Sequence, residues 1–225
     1  IDTSKYLTRI FEFDITNRTV DVEPGVVLDD LNRSLKPHKL FFPVDISTGS
    51  RATIGGMAGN NACGSRSIRY GNMVHNVSGI DAILSDGTNA HFGHVPGNLG
   101  DISGPKSYLD LISTVRDIAT RERDEINLRY PDLLRNVGGY NLNMVDPAGH
   151  NLAQLLVGSE GTLAYFQKIR LNLQPIPVHR VLGICLFSTL RSAMKIVPSM
   201  VRLEPSAVEL VDRTMIDLAN ENPLF

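Results

Sequence analysis

The chain has 225 residues, 42% of them hydrophobic, enough for a buried core in one or two domains. Its 22 basic and 24 acidic side chains leave a net charge of -2, so no global field draws it to nucleic acid or to an anionic membrane. No run approaches the roughly 20 apolar residues of a membrane span, and Cys63 and Cys185, the only cysteines, exclude a disulfide framework or metal–thiolate cluster and point to a reducing cytoplasm.

From Arg9 to Asp14, RIFEFD alternates apolar and polar residues, and RTVDVEPG does so again from Arg18. With Thr16-Asn17 between them, this pattern predicts a β-hairpin, stopped by Pro24-Gly25. Leu28, Leu31 and Leu35 then fall at helical spacing and predict a helix ending at Pro37.

The stretch from Pro43 to Gly71 is the most unusual in the chain. It holds Gly49, Gly55, Gly56, Gly59, Gly64 and Gly71 among small polar residues. No Asp or Glu occurs between Ile46 and Ile80, while Arg51, Arg66 and Arg69 do. Bare amides at a helix start near Gly55 and Gly56, hydroxyls from Thr48, Ser50 and Thr53, and absent carboxylates suit a phosphate or pyrophosphate. The competing reading is a small-residue loop that serves tight packing. A phosphate loop of the GxxxxGK type is excluded because no Lys follows Gly56, and the glycine spacing does not fit the GxGxxG turn of a nicotinamide site.

Further on, VSGIDAILSDGT predicts a strand and turn, with NAHFG returning. Lys106 to Arg129 predicts one amphipathic helix with Leu109, Ile112, Val115, Ile118 and Ala119 on its apolar face and RERDE as a solvated run. After an irregular Gly/Asn-rich connection comes a helix from Leu152 to Val157, then GSEG, then a long strand through Leu173. Pro175 and Pro177 mark a boundary. Beyond it, RVLGICLF and AVELVD read as strands, each followed by a helix, which predicts the start of a second, α+β domain. The expected division is residues 1–175 and 176–225. The six histidines show no metal-ligand spacing, so no metal site is expected.

Two of these blocks carry a resemblance. SRATIGGMAGNNACGSRSIRYGNM, from Ser50, and LLVGSEGTLAYFQKIRL, from Leu155 to Leu171, resemble the flavin-binding domain of the vanillyl-alcohol-oxidase/PCMH superfamily. They are most similar to the FAD-linked D-2-hydroxy-acid dehydrogenases, a group that includes glycolate oxidase, D-lactate dehydrogenase and D-2-hydroxyglutarate dehydrogenase. The resemblance implies an α+β fold: a PCMH-type FAD-binding domain lacking its N-terminal part, followed by the start of a cap domain. A first pyrophosphate loop similar to RGGGTG would precede Ile1, so the chain reads as a fragment.

The resemblance also implies FAD as cofactor. The residues it marks as cofactor contacts are Pro43, Thr48, Gly49, Ser50, Thr53, Ile54, Gly55, Gly56, Asn60, Asn61, Cys63, Gly64, Glu160 and Gly161. Cys63 stands where the family commonly has Ser, and is read as a small buried thiol rather than a covalent flavin link. Glu160 is implied on the adenosine side of FAD, and Tyr140-Asn141 resemble the family's GYNL segment near the flavin. The catalytic histidine, metal ligands and substrate-binding arginine of the family lie in its later cap, so no catalytic residue is expected in this chain. The implied parent activity is oxidation of a D-2-hydroxy acid (D-lactate, D-2-hydroxyglutarate or glycolate) by hydride transfer to FAD. The implied electron acceptor is a quinone, a cytochrome or an iron–sulfur domain, with the enzyme cytoplasmic or peripheral to the inner face of the membrane. The insertion NLNMVDPAGHNL is similar to large forms fused to an iron–sulfur domain. Two alternatives stay open: a non-catalytic nucleotide-binding or regulatory module, and another flavoenzyme of this fold, such as a UDP-sugar enolpyruvyl reductase.

Overall fold

A computed structural model describes residues 2–222. The first hairpin forms as its alternation predicts: β1 (Ile10–Asp14) pairs antiparallel with β2 (Thr19–Val22). Asp14 fixes the turn, its carboxylate accepting the Asn17 backbone N–H at 2.9 Å and side-chain amide at 2.7 Å. Helix α1 (Leu28–Leu35) buries the same leucines that the spacing singles out, and Pro37 lies in the 3-10 turn that follows. Strand β3 (Leu40–Phe41) comes next, followed by the short helices α2 (Ile54–Gly59), α3 (Ser67–Tyr70) and α4 (Met73–Asn76).

A second hairpin joins β4 (Val77–Ile83) to β5 (Asn89–Phe92), with Ile83 opposite Asn89, and β6 (His94–Pro96) follows. The single helix expected over Lys106–Arg129 is two, α5 (Lys106–Arg121) and α6 (Arg123–Arg129), broken at Glu122. The break brings Arg123 to the Val145 carbonyl at 2.8 Å and leaves Ile126 buried. Strand β7 (Gly149–Asn151) pairs with β6, and α7 (Ala153–Leu156) is one residue shorter at each end than expected.

The long strand β8 (Tyr165–Asn172) is the centre of a five-stranded antiparallel sheet with order β1-β2-β8-β4-β5. Phe166, Ile169 and Leu171 face the core; their spacing departs from strict alternation because the β4–β8 register shifts between Asp81 and Ala82. On the other face Lys168 bridges Asp21 and Asp81 at 3.5 and 2.8 Å, and Arg170 pairs with Asp21 at 2.7 Å. One core joins this sheet to α1, α2, α4 and α7, through side chains such as Leu31, Leu35, Ile54, Met73, Ile80 and Leu156. Strand β9 (Gln174–Pro175) pairs with β3 and closes this body.

Past Pro175 the expectation of strands fails. Among the described residues, 176–222 contain the helices α8 (Leu190–Val201) and α9 (Arg213–Glu221), while RVLGICLF and AVELVD are not strands. Each helix is fixed locally: Thr189 and Ser192 form a capping box on α8, and the Asp212 carboxylate accepts the Met215 N–H at 2.8 Å on α9. A strand has no such local option, since its backbone groups need a neighbouring edge. None lies beside Val181, Leu182 or Leu186, which are 96, 84 and 90% exposed.

Candidate functional site

Helix α2 begins at Thr53, whose hydroxyl accepts the Gly56 N–H at 3.3 Å, and it ends at Asn60-Asn61. Its last turn is tied to the second motif block, about a hundred residues further along. The Gly158 N–H donates to the Ala58 carbonyl at 2.8 Å, and the Glu160 N–H to the Gly59 carbonyl at 3.1 Å. Gly158, Glu160 and Gly161 all have positive φ (86°, 51° and 77°), so the chain coils into a tight turn. Thr162 closes it, donating its N–H and its hydroxyl to the Ser159 carbonyl at 3.0 and 2.6 Å. The two blocks form one surface.

The expected contact residues divide across that surface. Gly49, Gly55 and Gly64 face inward. A Cβ on Gly64 would lie 1.7 Å from the Asp45 carbonyl oxygen, one on Gly55 would lie 2.5 Å from Pro24 Cβ, and one on Gly49 would lie 2.8 Å from Asp29 Oδ1. Pro43 and Ile54 are buried, Asn61 is buried and Cys63 is half-buried. The Asn61 side-chain oxygen accepts the Val74 N–H at 3.0 Å, inside the protein. By contrast, Thr48, Ser50, Gly56, Asn60, Glu160 and Gly161 are exposed. A Cβ on Gly56 would meet only its own cap, Thr53 Oγ1, at 3.2 Å, and one on Gly161 would meet nothing within 4 Å.

The expectation of bare amides at the start of α2 needs correction. The Ile54 and Gly55 N–H groups donate to the carbonyls of Val26 and Pro24 at 2.8 and 2.7 Å, and the Gly56 N–H is held by Thr53. An antiparallel bridge between Val27 and Thr53 sets this pairing, so the helix start is consumed by the fold. The stretch without acids is also not acid-free in space. Asp45 accepts the Arg66 N–H at 3.0 Å and the Ser65 hydroxyl at 2.8 Å, and lies 3.7 Å from Arg66 Nε. Arg69 donates to the Glu204 carbonyl at 2.7 Å. Of the three arginines, Arg51 alone has a side chain that makes no hydrogen bond or ion pair among the described residues.

Sequence reasoning missed the strap that fastens the two blocks. Arg135 donates to the Gly64 carbonyl, Asn61 Nδ2 reaches the Asn136 carbonyl at 3.5 Å, and the Tyr140 hydroxyl meets Thr162 Oγ1 at 2.8 Å. Asn141 donates to the Gln154 and Val157 carbonyls at 3.0 and 2.7 Å, bracing α7 behind the turn. The sequence marked Tyr140 and Asn141 by their resemblance to the GYNL segment, but gave no signal beyond Gly/Asn-rich composition for Arg135 and Asn136. Ser159, 2% exposed, lies in the GSEG block that the sequence marked, and its hydroxyl has no hydrogen-bond partner. Such an orphan at the base of an open turn fits a polar ligand completing the site. An extended face of hydroxyls and unobstructed glycine fits a long dinucleotide better than a compact anion. Among the described residues no group of three His, Cys, Asp or Glu could hold a metal ion.

Comparison with known proteins finds two family matches. Residues 1–93 match the family described as FAD binding domain, and residues 176–224 match the family described as FAD linked oxidases, C-terminal domain. The turn at 158–162 lies outside both matched segments and joins the first only through the fold. The chain is 35% identical over 233 residues to a D-2-hydroxyglutarate dehydrogenase of Haemophilus influenzae, a match that covers 100% of the chain and 23% of that relative. A D-2-hydroxyglutarate dehydrogenase of Escherichia coli is 34% identical over 227 residues, covering 99% of the chain and 22% of the relative. A mitochondrial D-lactate dehydrogenase [cytochrome] of Arabidopsis thaliana is 31% identical over 216 residues, covering 95% and 30%. The chain therefore spans about a quarter of the length of these two D-2-hydroxyglutarate dehydrogenases.

Proposed function

We propose that this chain supplies one wall of the FAD site of an oxidoreductase that acts on a D-2-hydroxy acid: D-2-hydroxyglutarate, D-lactate or glycolate. FAD is the cofactor to which both matched families point, and the named relatives act on hydroxy acids. The observation that carries the reading is the junction of α2 with the 158–162 turn, because it makes a continuous open face from two separated motif blocks.

Bound FAD would supply the hydride acceptor, chemistry that no side chain offers. The residues of the chain bind and orient. Thr48 and Ser50 offer hydroxyls, Gly56 leaves room for close approach, and Asn60 can both donate and accept. Glu160 and Gly161, held out by the positive-φ turn, form the far end of the wall. Gly49, Thr53, Ile54, Gly55, Asn61, Cys63 and Gly64, with Pro43, set the shape of that wall from behind. The strap through Arg135 and Tyr140 ties the two blocks to one another. No proton-transfer residue is assigned here. We place the division between the FAD-binding part and the start of the cap at residues 175–176. The electron acceptor is a quinone, a cytochrome or an iron–sulfur domain, and the two free cysteines suit a cytoplasmic setting. No helix among the described residues is long and apolar enough to cross a membrane.

The test is to release the cofactor from the intact protein by heat, identify it by chromatography, and follow dye reduction with each acid. The reading predicts FAD and substrate-dependent reduction by at least one of the acids. FMN alone would overturn the dinucleotide site. FAD without reduction by any of the acids would favour the non-catalytic module.

A further inference from the structure

We propose a second ligand site, for a small organic carboxylate, in the cavity between α3–α4 and the chain leaving β8. The cavity measures about 710 Å3 and shares no residue with the flavin wall, a volume in the range of small-molecule sites. Arg69, Tyr70, His75 and Asn76 line one side. Asn172, Gln174 and residues 175–178 line the other.

The polar part of the lining carries several donors and contains no carboxylate. Arg69 spends one N–H on the Glu204 carbonyl at 2.7 Å and forms no ion pair among the described residues. A carbonyl leaves its charge uncompensated, and the rest of the guanidinium fork stays available. His75 accepts the Asn72 N–H on Nδ1 at 3.0 Å, which assigns the ring proton to Nε2 as a second donor. The side-chain amides of Asn172 and Gln174 make no bond among the described residues. Asn76 donates to the Tyr70 and Asn72 carbonyls at 2.8 and 2.9 Å, leaving its oxygen as the acceptor. A cation and free donors without a competing acid select an anion, and the planar fork of Arg69 matches a carboxylate.

The apolar part of the lining selects an organic anion over a bare one. Tyr70, Ile176 and Val178 border the same space, and inorganic phosphate would leave them against water. A neighbouring cavity of about 410 Å3, also bordered by Arg69, is lined by Glu204, whose carboxylate disfavours an anion there.

The test is calorimetric titration of the intact, FAD-loaded protein with isobutyrate and with benzoate, with inorganic phosphate as a separate arm. The flavin absorbance is recorded throughout. Saturable carboxylate binding without a change in the flavin spectrum is expected, at least about tenfold tighter than phosphate. Arg69→Gln should weaken it by about tenfold or more. Because that change also alters the Glu204 contact, Val178→Trp, at an exposed position, provides an independent block of the cavity and should weaken binding by a similar factor. Absence of saturable binding, phosphate binding as tight as carboxylate, a perturbed flavin spectrum, or wild-type affinity in Val178→Trp would each overturn the site.

Discussion

The inner and outer faces of the glycine-rich stretch are made of the same residue types and do different things. On the inner face, Gly55 and Gly64 are glycine because Pro24 and the Asp45 backbone occupy the space of a side chain, and Asn61 spends its amide on the Val74 N–H. On the outer face, Gly56 and Gly161 have no such neighbour, and Thr48, Ser50 and Asn60 stand in solvent. The difference teaches that a glycine-rich motif is two devices in one ribbon. One seats the loop on the sheet, and the other leaves a surface for a ligand to approach.

The comparison predicts which variants unfold the protein. Gly64→Ala should cost most, about 3 kcal/mol, the upper end of overpacking, because its Cβ would overlap a backbone oxygen that cannot swing away. Gly55→Ala should cost somewhat less, about 1–3 kcal/mol, since Pro24 can shift a little. Asn61→Ala should cost about 1–2 kcal/mol by leaving the buried Val74 N–H without its acceptor. Urea titration followed by circular dichroism gives all three; a Gly64→Ala protein as stable as wild type would remove the inner face from the account.

The smallest effect separates fold from site by pH. His150 is held below the ordinary histidine value, first by burial and then by the nearby Arg116 charge, outweighing its bond to the Asp146 carbonyl. Its unfolded form therefore binds a proton more readily, and stability should fall as pH drops below about 6.5. Burial raises the Asp21 and Asp81 carboxyls, but Arg170 and Lys168 at Asp21, and Lys168 and His91 at Asp81, more than offset it. Both settle below the usual carboxylate range, so their contribution is present above about pH 4 and is lost on further acidification. Thermal midpoints should fall between pH 7 and 5 in parallel for the wild type and outer-face variants. A loss confined to one of those variants would place an ionisable group in the wrong region.

Much of this architecture was legible in the sequence because it follows from local pattern. The RIFEFD and TVDV hairpin, the leucines of α1 and the amphipathic α5 formed as their periodicity predicts. RVLGICLF carries a comparable strand pattern and is not a strand, because pattern states only what a segment can pair with. In β8 the same kind of sequence has β2 and β4 as neighbours. The helix start at Thr53 was legible, but the fate of its amides was not, since Pro24 and Val26 lie about thirty residues upstream and no spacing announces them. Arg135 was missed for the same reason: its meaning comes from what lies opposite it.

The central claim is that the outer face binds FAD while the inner face holds the fold, and Gly56 tests it most directly. A valine there adds its side chain to the open side of α2, where the nearest atom is the cap hydroxyl at 3.2 Å, and valine is no worse a helix former than the glycine it replaces. FAD affinity of the intact Gly56→Val protein, measured by quenching of flavin fluorescence beside its urea midpoint, should fall by about a hundredfold or more while the midpoint stays close to wild type. Wild-type FAD affinity in a fully folded Gly56→Val protein would contradict the account.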